Sequence, residues 1–207
     1  MSRIANLSSL GYAAFALTLW LASMGPAGWF EQPGTAWLPP LFSQPDNLLL
    51  PLLVAVLGGC VMAVAGIGQC LRGQTFDAVL FLAFAGYWWV AALMQHAVNN
   101  GAYGPDAGFQ GWYDLAWAFF AFGVWLAACR TGIARMLFML GLCLSLFVFA
   151  LGSWTKLGAL TVLGGYTGLI TAVLGIYICA AEILNEISGN ALLPLGEHAG
   201  EGSRDPS

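Results

Sequence analysis

Two carboxylates end the last apolar stretch of the chain, Glu182 and Glu186, with Asn185 between them. Residues four positions apart lie on the same face of a helix, so both carboxylates reach the same edge of a membrane. A carboxylate beside an apolar span can accept a proton, and a neighbouring amide can donate and accept hydrogen bonds. We therefore take Glu182 as a candidate proton acceptor. The competing interpretation is a solvated helix end, with Gly189 as its C-terminal stop.

Other polar groups in the apolar stretches are hydrogen-bond donors. The predicted spans contain no Lys or Arg, so an anion inside them would meet no fixed positive charge. Burying a bare anion is costly unless a proton or hydrogen-bond donors accompany it. A membrane threonine more often bonds its own helix backbone than a solute. The candidate donors are Asn6, Thr18, Tyr87, Gln95, Thr167, Thr171 and Asn185.

The sequence offers no enzyme or metal site. The five cysteines have no CxxC spacing, and His96 and His198 stand alone. There is no HExxH motif, and no nucleophile stands near a base. A formal charge of -4 with six basic residues argues against a nucleic-acid partner. We expect no catalytic residue, no bound metal and no cofactor.

The elements that position these residues are unusually apolar. Hydrophobic residues make up 59% of the 207 residues and charged residues 8%, whereas soluble chains carry roughly 25% charged residues. The bilayer is therefore the expected solvent, and roughly 20 apolar residues suffice to cross it as a helix. The pattern predicts an all-α membrane protein, a bundle of six transmembrane helices at about 10–30, 48–71, 75–95, 111–129, 136–152 and 160–184.

The segments between these helices have distinct roles. Residues 31–47 are rich in proline and glycine and predict a long external loop. Residues 130–135 form a short basic turn, and Asp77 near the start of the third helix is expected to cap that helix or to favour its N-terminus. Residues 1–196 would form a single transmembrane domain, and the polar tail 197–207 is predicted to be disordered.

The basic residues predict the orientation of the bundle. Cytoplasmic segments of membrane proteins carry an excess of Lys and Arg. If both termini are cytoplasmic, only Lys156 falls outside. The basic residues that then fall inside are Arg3, Arg72, Arg130, Arg135 and Arg204.

Three segments carry the motifs of a known family. Residues 180–197, AAEILNEISGNALLPLGE, contain a Glu, a Leu-Asn-Glu triplet and a Leu-Pro-x-Gly-Glu. Residues 73–76 read GQTF, in the turn before the third helix, and residues 6–18 read NLSSLGYAAFALT. This pattern resembles the acetate uptake transporters, also called succinate-acetate permeases of the YaaH or SatP type. Their N-terminal signature is NPAPLGL, in which Leu7, Ser8 and Ser9 of this chain replace Pro-Ala-Pro.

The resemblance implies a hydrophobic pore constriction formed by Phe15, Phe84 and Leu142. Phe84 stands where a Tyr is usual, and Met62 where a Gln is common in the second helix. A ring of this kind can gate by dewetting, which admits a small solute and bars hydrated ions. The substrate path and its vestibules would include Asn6, Leu10, Gly11, Thr18, Met62, Tyr87, Glu182 and Asn185.

The implied function is a membrane channel or proton symporter for acetate and similar small monocarboxylates. The implied setting is a bacterial inner membrane, and the implied assembly is a homo-oligomer, of which a hexamer is one form. Two alternatives stay open. A dry, aromatic lumen also suits small neutral solutes such as urea, and a pore filled by Phe84 and Met62 would leave a non-transporting membrane scaffold of the same fold.

Overall fold

The computed structural model describes residues 6–29, 49–100 and 106–196, which contain six helices and no β-strand. The prediction of an all-α fold is therefore confirmed for these residues. The helices are α1 (Ser8–Met24), α2 (Leu49–Leu53, a π-helical Val54–Val61 and Met62–Leu71 in one continuous run), α3 (Thr75–Asn99), α4 (Ala107–Ala128), α5 (Ile133–Thr155) and α6 (Gly158–Ser188). The predicted external loop 31–47 and the predicted tail 197–207 lie outside the described residues.

The described helices have the surface of a membrane bundle. By length and composition α2, α3, α5 and α6 can each cross a membrane. Helix α1 is apolar and 17 residues long, which gives a rise of about 26 Å. Every helix exposes large apolar side chains on its outer face, where water would be an unfavourable neighbour and lipid a favourable one. Examples, one from each helix in order, are Leu17, Ile67, Leu93, Phe119, Leu144 and Ile170.

Several helix ends differ from the predicted ones because local caps decide them. Helix α1 ends at Met24, before the predicted residue 30, and the turn after it closes at Gly28 with a φ of +80°. Helix α4 begins at Ala107, before the predicted residue 111, because the carboxylate of Asp106 accepts the amide of Phe109 at 2.6 Å. These caps lengthen or shorten the helices without changing their order.

Among these differences, the start of α5 matters most, because it decides whether Arg135 lies in a helix. Its N-cap residue Gly132 offers no side chain, and the amides of Ile133 and Ala134 instead donate to the backbone carbonyls of Gly196 and Leu195, at 3.2 and 3.1 Å. Helix N-termini need such partners for their free amides. The helix therefore begins before the predicted residue 136, and Arg135 lies within its first turn.

Helix α1 packs against α2, α3 and α6. The π-helical part of α2 carries Gly58, and a Cβ atom there would lie 2.6 Å from Cγ of Trp88 and 2.7 Å from Cγ2 of Thr18. Any larger residue would collide with both neighbours. This glycine therefore allows α1, α2 and α3 to approach closely at mid-bundle.

Candidate functional site

The three predicted constriction residues lie inside the bundle. Phe15 of α1 and Phe84 of α3 have no exposed surface, and Leu142 of α5 is 2% exposed. The ring centroids of Phe15 and Phe84 are 5.1 Å apart. All three belong to one apolar core, and none of them faces lipid.

An unbroken line of aromatic rings passes through this constriction. The Tyr12 ring contacts Phe138 at 5.5 Å between centroids, and Phe138 contacts Phe15 at 5.2 Å. Beyond Phe15, Phe84 contacts Tyr87 at 6.0 Å. The rings meet edge-on or tilted, as aromatic pairs prefer. This line joins the beginning of α1 to the far half of α3 without a polar gap.

A cleft that contains several polar side chains lies at the far end of the ring line, between α3 and α4. Its volume is about 350 Å³. The Tyr87 and Tyr113 rings stack in its wall at 5.8 Å, and the buried carboxylate of Asp114 accepts the Gln110 amide at 3.0 Å. The cleft is lined by Tyr87, Ala91, Met94, Gln95, Val98, Gln110 and Tyr113. Sequence reasoning selected Tyr87 and Gln95 but missed Asp114, whose signal was a single acidic residue within a predicted span.

Four helices contribute to a charged cluster at the other end, formed by Ser8, Tyr12, Asp77, Arg135 and Glu182. Glu182 Oε1 lies 2.8 Å from Arg135 Nη2 and accepts the Ser8 hydroxyl at 2.9 Å. The Tyr12 hydroxyl donates to Asp77 at 3.4 Å, and the Arg135 guanidinium lies 6.0 Å from the Tyr12 ring centroid. Tyr12 therefore belongs to both the cluster and the ring line.

Two interpretations of the sequence are corrected by this cluster. Arg135 was expected in a turn, and the spans were expected to lack positive charge, yet Arg135 lies in α5 with a 20% exposed side chain. Asp77 was expected to cap α3 or to favour its N-terminus; it does lie in the first turn, where a carboxylate is favourable, but no described side chain caps the helix, whose N-cap residue is Gln74. Asp77 is 6% exposed and points to Tyr12 instead. Arg135 was misplaced because the carbonyls that begin its helix, those of Leu195 and Gly196, belong to a segment distant in sequence.

The ion pair in the cluster is incomplete. Arg135 and Glu182 share one short contact, whereas a bidentate arginine–carboxylate pair makes two parallel hydrogen bonds. Arg135 Nε and Glu182 Oε2 are buried and have no hydrogen-bond partner among the residues that the structure describes. A buried polar atom without a partner is costly. The pair therefore keeps one donor and one acceptor unused.

Most of the predicted hydroxyl donors are already engaged. The Thr18 hydroxyl donates to the Ala14 carbonyl at 2.7 Å, and the Thr171 hydroxyl to the Thr167 carbonyl at 2.8 Å. The Thr167 hydroxyl donates to the Leu163 carbonyl at 2.8 Å. Each of these bonds lies within its own helix, so none of the three hydrogens is free for a solute.

The other predicted path residues occupy varied positions. Asn6 accepts the Gln69 amide at 2.8 Å, beside the charged cluster, and the Leu10 side chain is 39% exposed, on the outer face of α1. Gly11 packs directly against the Phe81 ring, and Met62 is fully buried in the core. Met62 thus lies in the same core as the constriction, whereas Leu10 does not.

The side-chain amide of Asn185 is not free for a solute, because both of its polar atoms bond the backbone. Its side chain accepts the amide of Leu193 and donates to the carbonyl of Leu193, both at 2.9 Å. The Tyr177 hydroxyl holds the next residue, Pro194, by its carbonyl at 2.7 Å. The segment that these bonds fix, residues 189–196, is the one whose last carbonyls begin α5. Asn185 therefore helps to place Arg135.

Comparison with known proteins identifies the family. A sequence model described as the GPR1/FUN34/yaaH family matches residues 43–194. The succinate-acetate/proton symporter SatP of Escherichia coli K12 is 25% identical over 198 residues, which cover 95% of this chain and 97% of that protein. Ammonia transport outward protein 2 of Saccharomyces cerevisiae is 25% identical over 194 residues, 87% of this chain and 62% of the yeast protein.

The fold also matches a solved structure. The bacterial acetate channel SatP superimposes with a TM-score of 0.82 over 94% of this chain and 100% of that chain, at 23% identity. These relatives are transport proteins and a channel, not enzymes. The family match spans most of the chain and agrees with the motifs of the sequence. The chain is thus a multi-pass membrane protein that belongs to the GPR1/FUN34/yaaH family.

Proposed function

We propose that the protein is a membrane channel or proton-coupled transporter for acetate and similar small monocarboxylates. The observation that carries this proposal is the ring line, which passes through the Phe15–Phe84 contact and ends at a polar region on each side. The names of its relatives, a succinate-acetate/proton symporter and an acetate channel, support the same substrate class.

The chemistry of the path favours a small acid that crosses without a net charge. The constriction presents only the apolar side chains of Phe15, Phe84 and Leu142, where a bare carboxylate would lose its hydration without compensation. A protonated acid is neutral, and its short alkyl group can pack against the rings. Hydrogen bonds lost on entry are recovered at the Tyr and Gln groups of the cleft and at the charged cluster.

We also propose that the charged cluster faces the cytoplasm of a bacterial cell. Arg72, Arg130 and Arg135 lie at that end of their helices, and Lys156 lies at the opposite end, which supports a cytoplasmic location for both termini. A C-terminal epitope tag should be cleaved by protease in inverted membrane vesicles and protected in intact spheroplasts. Cleavage in intact spheroplasts would contradict this orientation.

The apolar outer faces suit both lipid and a second copy of the chain. We propose a homo-oligomer, with the hexamer as the form that the family resemblance implies. Native mass spectrometry of the protein in detergent measures this directly. A single mass equal to one chain would contradict it.

Transport is tested with purified protein in liposomes. Labelled acetate and labelled urea are supplied in parallel, with and without a pH gradient, and entry into protein-free liposomes is subtracted because acetic acid permeates bilayers. We expect acetate entry that increases when the outside is more acidic. Entry of urea, alone or with acetate, would favour a channel for small neutral solutes, and entry of neither would favour a membrane scaffold.

One observation favours the neutral-solute alternative specifically. The constriction contains no polar atom, since a phenylalanine occupies position 84 and a methionine position 62. Such a lumen discriminates by size and polarity rather than by acid chemistry, and one relative is named for ammonia transport. Ammonia release, followed by a pH-sensitive dye inside the liposomes, separates this function from acetate transport.

A further inference from the structure

We propose that Arg135 and Glu182 form a binding site for one carboxylic acid group, and that Glu182 exchanges a proton with it. This inference rests on the proposed function, because it names the residues that would receive the transported acid. It goes further by assigning Arg135 as the group that holds the acid.

The two atoms of the ion pair that lack a hydrogen-bond partner match the two polar groups of a carboxylic acid. Arg135 Nε is a buried donor without an acceptor, and Glu182 Oε2 is a buried acceptor without a donor. A protonated carboxylic acid has one carbonyl oxygen that accepts and one hydroxyl that donates. Bound between the two residues, it would accept from Arg135 Nε and donate to Glu182 Oε2. Both atoms are shielded in the described state, so the acid enters as the single Arg135–Glu182 contact opens.

The proton step conserves charge. The O–H bond of the acid breaks, its electron pair stays on the acid oxygen, and a new O–H bond forms on Glu182 Oε2. The guanidinium of Arg135 then pairs with the carboxylate of the solute instead of the carboxylate of Glu182. The total charge of the site is the same before and after, which a poorly solvated position requires.

The groups around Glu182 favour the arrival of a neutral acid. Ser8 of α1 donates to Oε1, Arg135 of α5 supplies the positive charge, and Asp77 of α3 adds a second carboxylate. The Tyr12 hydroxyl of α1 engages Asp77, and Cys179 lies one turn before Glu182 on α6. A bare carboxylate would be the third around a single guanidinium. Its proton removes that repulsion.

Two rings of the ring line connect the site to the constriction. Arg135 lies 6.0 Å from the Tyr12 ring, which contacts Phe138, and Phe138 contacts Phe15. A solute that passes Phe15 towards this end therefore reaches Arg135 after two rings. The apolar rings, which an uncharged acid could pass, and the charged site therefore lie one after the other along the same path.

Calorimetry of acetate binding to the purified full chain tests the proposal. Titrations near neutral pH in two buffers with different ionisation enthalpies give the number of protons taken up for each acetate bound. Because acetate arrives as an anion and Glu182 gains a proton, we expect about one proton per acetate. In Glu182→Gln the uptake should fall to nearly zero while acetate still binds.

Glu186→Gln is the matched control. Glu186 is an exposed carboxylate one turn further along α6, so this variant should keep the proton uptake of the wild type. Arg135→Lys should keep the uptake but weaken acetate binding about tenfold, because lysine cannot offer the second donor of the fork. It also serves as the second variant if Glu182→Gln does not elute as a folded protein.

Unchanged proton uptake in Glu182→Gln, or acetate affinity unchanged in Arg135→Lys, overturns the proposed site. Either result can occur while the wild type still carries acetate into liposomes, in which case the proposed function stands without this site. Absence of acetate entry by the wild type overturns the proposed function itself, so the two failures are distinguishable.

Discussion

The constriction and the charged cluster lie close together in the bundle but differ in polarity. Phe15, Phe84 and Leu142 are buried among other apolar groups and leave nothing unsatisfied. The cluster, one ring away, retains a donor on Arg135 and an acceptor on Glu182. The constriction can exclude by size and dryness, while the cluster can recognise an acid by its proton and its carbonyl. This division separates passage from recognition along a single path, and each of the following substitutions tests that separation.

Removal of the positive charge should have the largest effect. In Arg135→Ala, Glu182 and Asp77 remain as buried carboxylates without a cation. Loss of one partner of a buried ion pair costs about 3–5 kcal/mol. We expect a marked fall in the thermal unfolding temperature in detergent, measured by tryptophan fluorescence, and a smaller fall in Arg135→Lys. Equal unfolding temperatures for Arg135→Ala and the wild type would show that the pair contributes nothing.

A methyl group added at Gly58, where α2 approaches α1 and α3, should destabilise the packing around the constriction and leave the charged cluster intact. In Gly58→Ala the new Cβ meets Trp88 and Thr18, and overpacking of this kind costs about 1–3 kcal/mol. Gly86→Ala on α3 is the control, because a Cβ there has no neighbour within 4 Å. Its stability should be unchanged or slightly raised, as a helical glycine is replaced. Equal losses in both variants would argue against the close contact.

A hydroxyl group in the constriction should reduce the difference in polarity between the constriction and the charged cluster. Phe84→Tyr provides a hydrogen bond to a passing acid, and a net contribution of about 0.5–1.5 kcal/mol corresponds to a two- to tenfold rate change. We expect faster acetate entry into liposomes at equal protein content. An unchanged rate with normal expression would count against a position for Phe84 on the path.

Release of the segment 189–196 should have the smallest effect on stability. Asn185→Ala removes both hydrogen bonds to Leu193 at a partly exposed site, at a cost of about 1 kcal/mol. Hydrogen exchange should accelerate at the amides of Ile133 and Ala134, which this segment caps. Unchanged exchange there would show that α5 begins without its help.

The sequence was sufficient for the helices and insufficient for the cluster. Helices α2, α3, α5 and α6 are long and apolar enough to cross a membrane, so local composition alone predicts them. The partners of Asp77 and Arg135 are set by tertiary contacts: Tyr12 reaches Asp77 from α1, and the carbonyls of Leu195 and Gly196 extend α5 back to Ile133. No local pattern near residue 135 encodes that extension. The motif around Leu195 was recognised by resemblance, but its capping role required the fold.

The roles of the constriction residues stay a prediction that came from the resemblance. Composition alone could not select Phe15 and Phe84 among 13 phenylalanines. The structure adds that these two rings meet inside the core, whereas a phenylalanine such as Phe119 is 61% exposed on the outer face of α4. That contrast provides a matched pair of positions for one substitution.

A solute path through the constriction is tested by the initial rate of labelled acetate entry in Phe84→Leu and Phe119→Leu. Both variants replace one phenylalanine by the same smaller apolar residue, and this change opens internal space only at position 84, which is fully buried. A solute path through the constriction predicts a several-fold faster rate in Phe84→Leu and an unchanged rate in Phe119→Leu. Equal rates in the two variants and the wild type would contradict a path between Phe15 and Phe84.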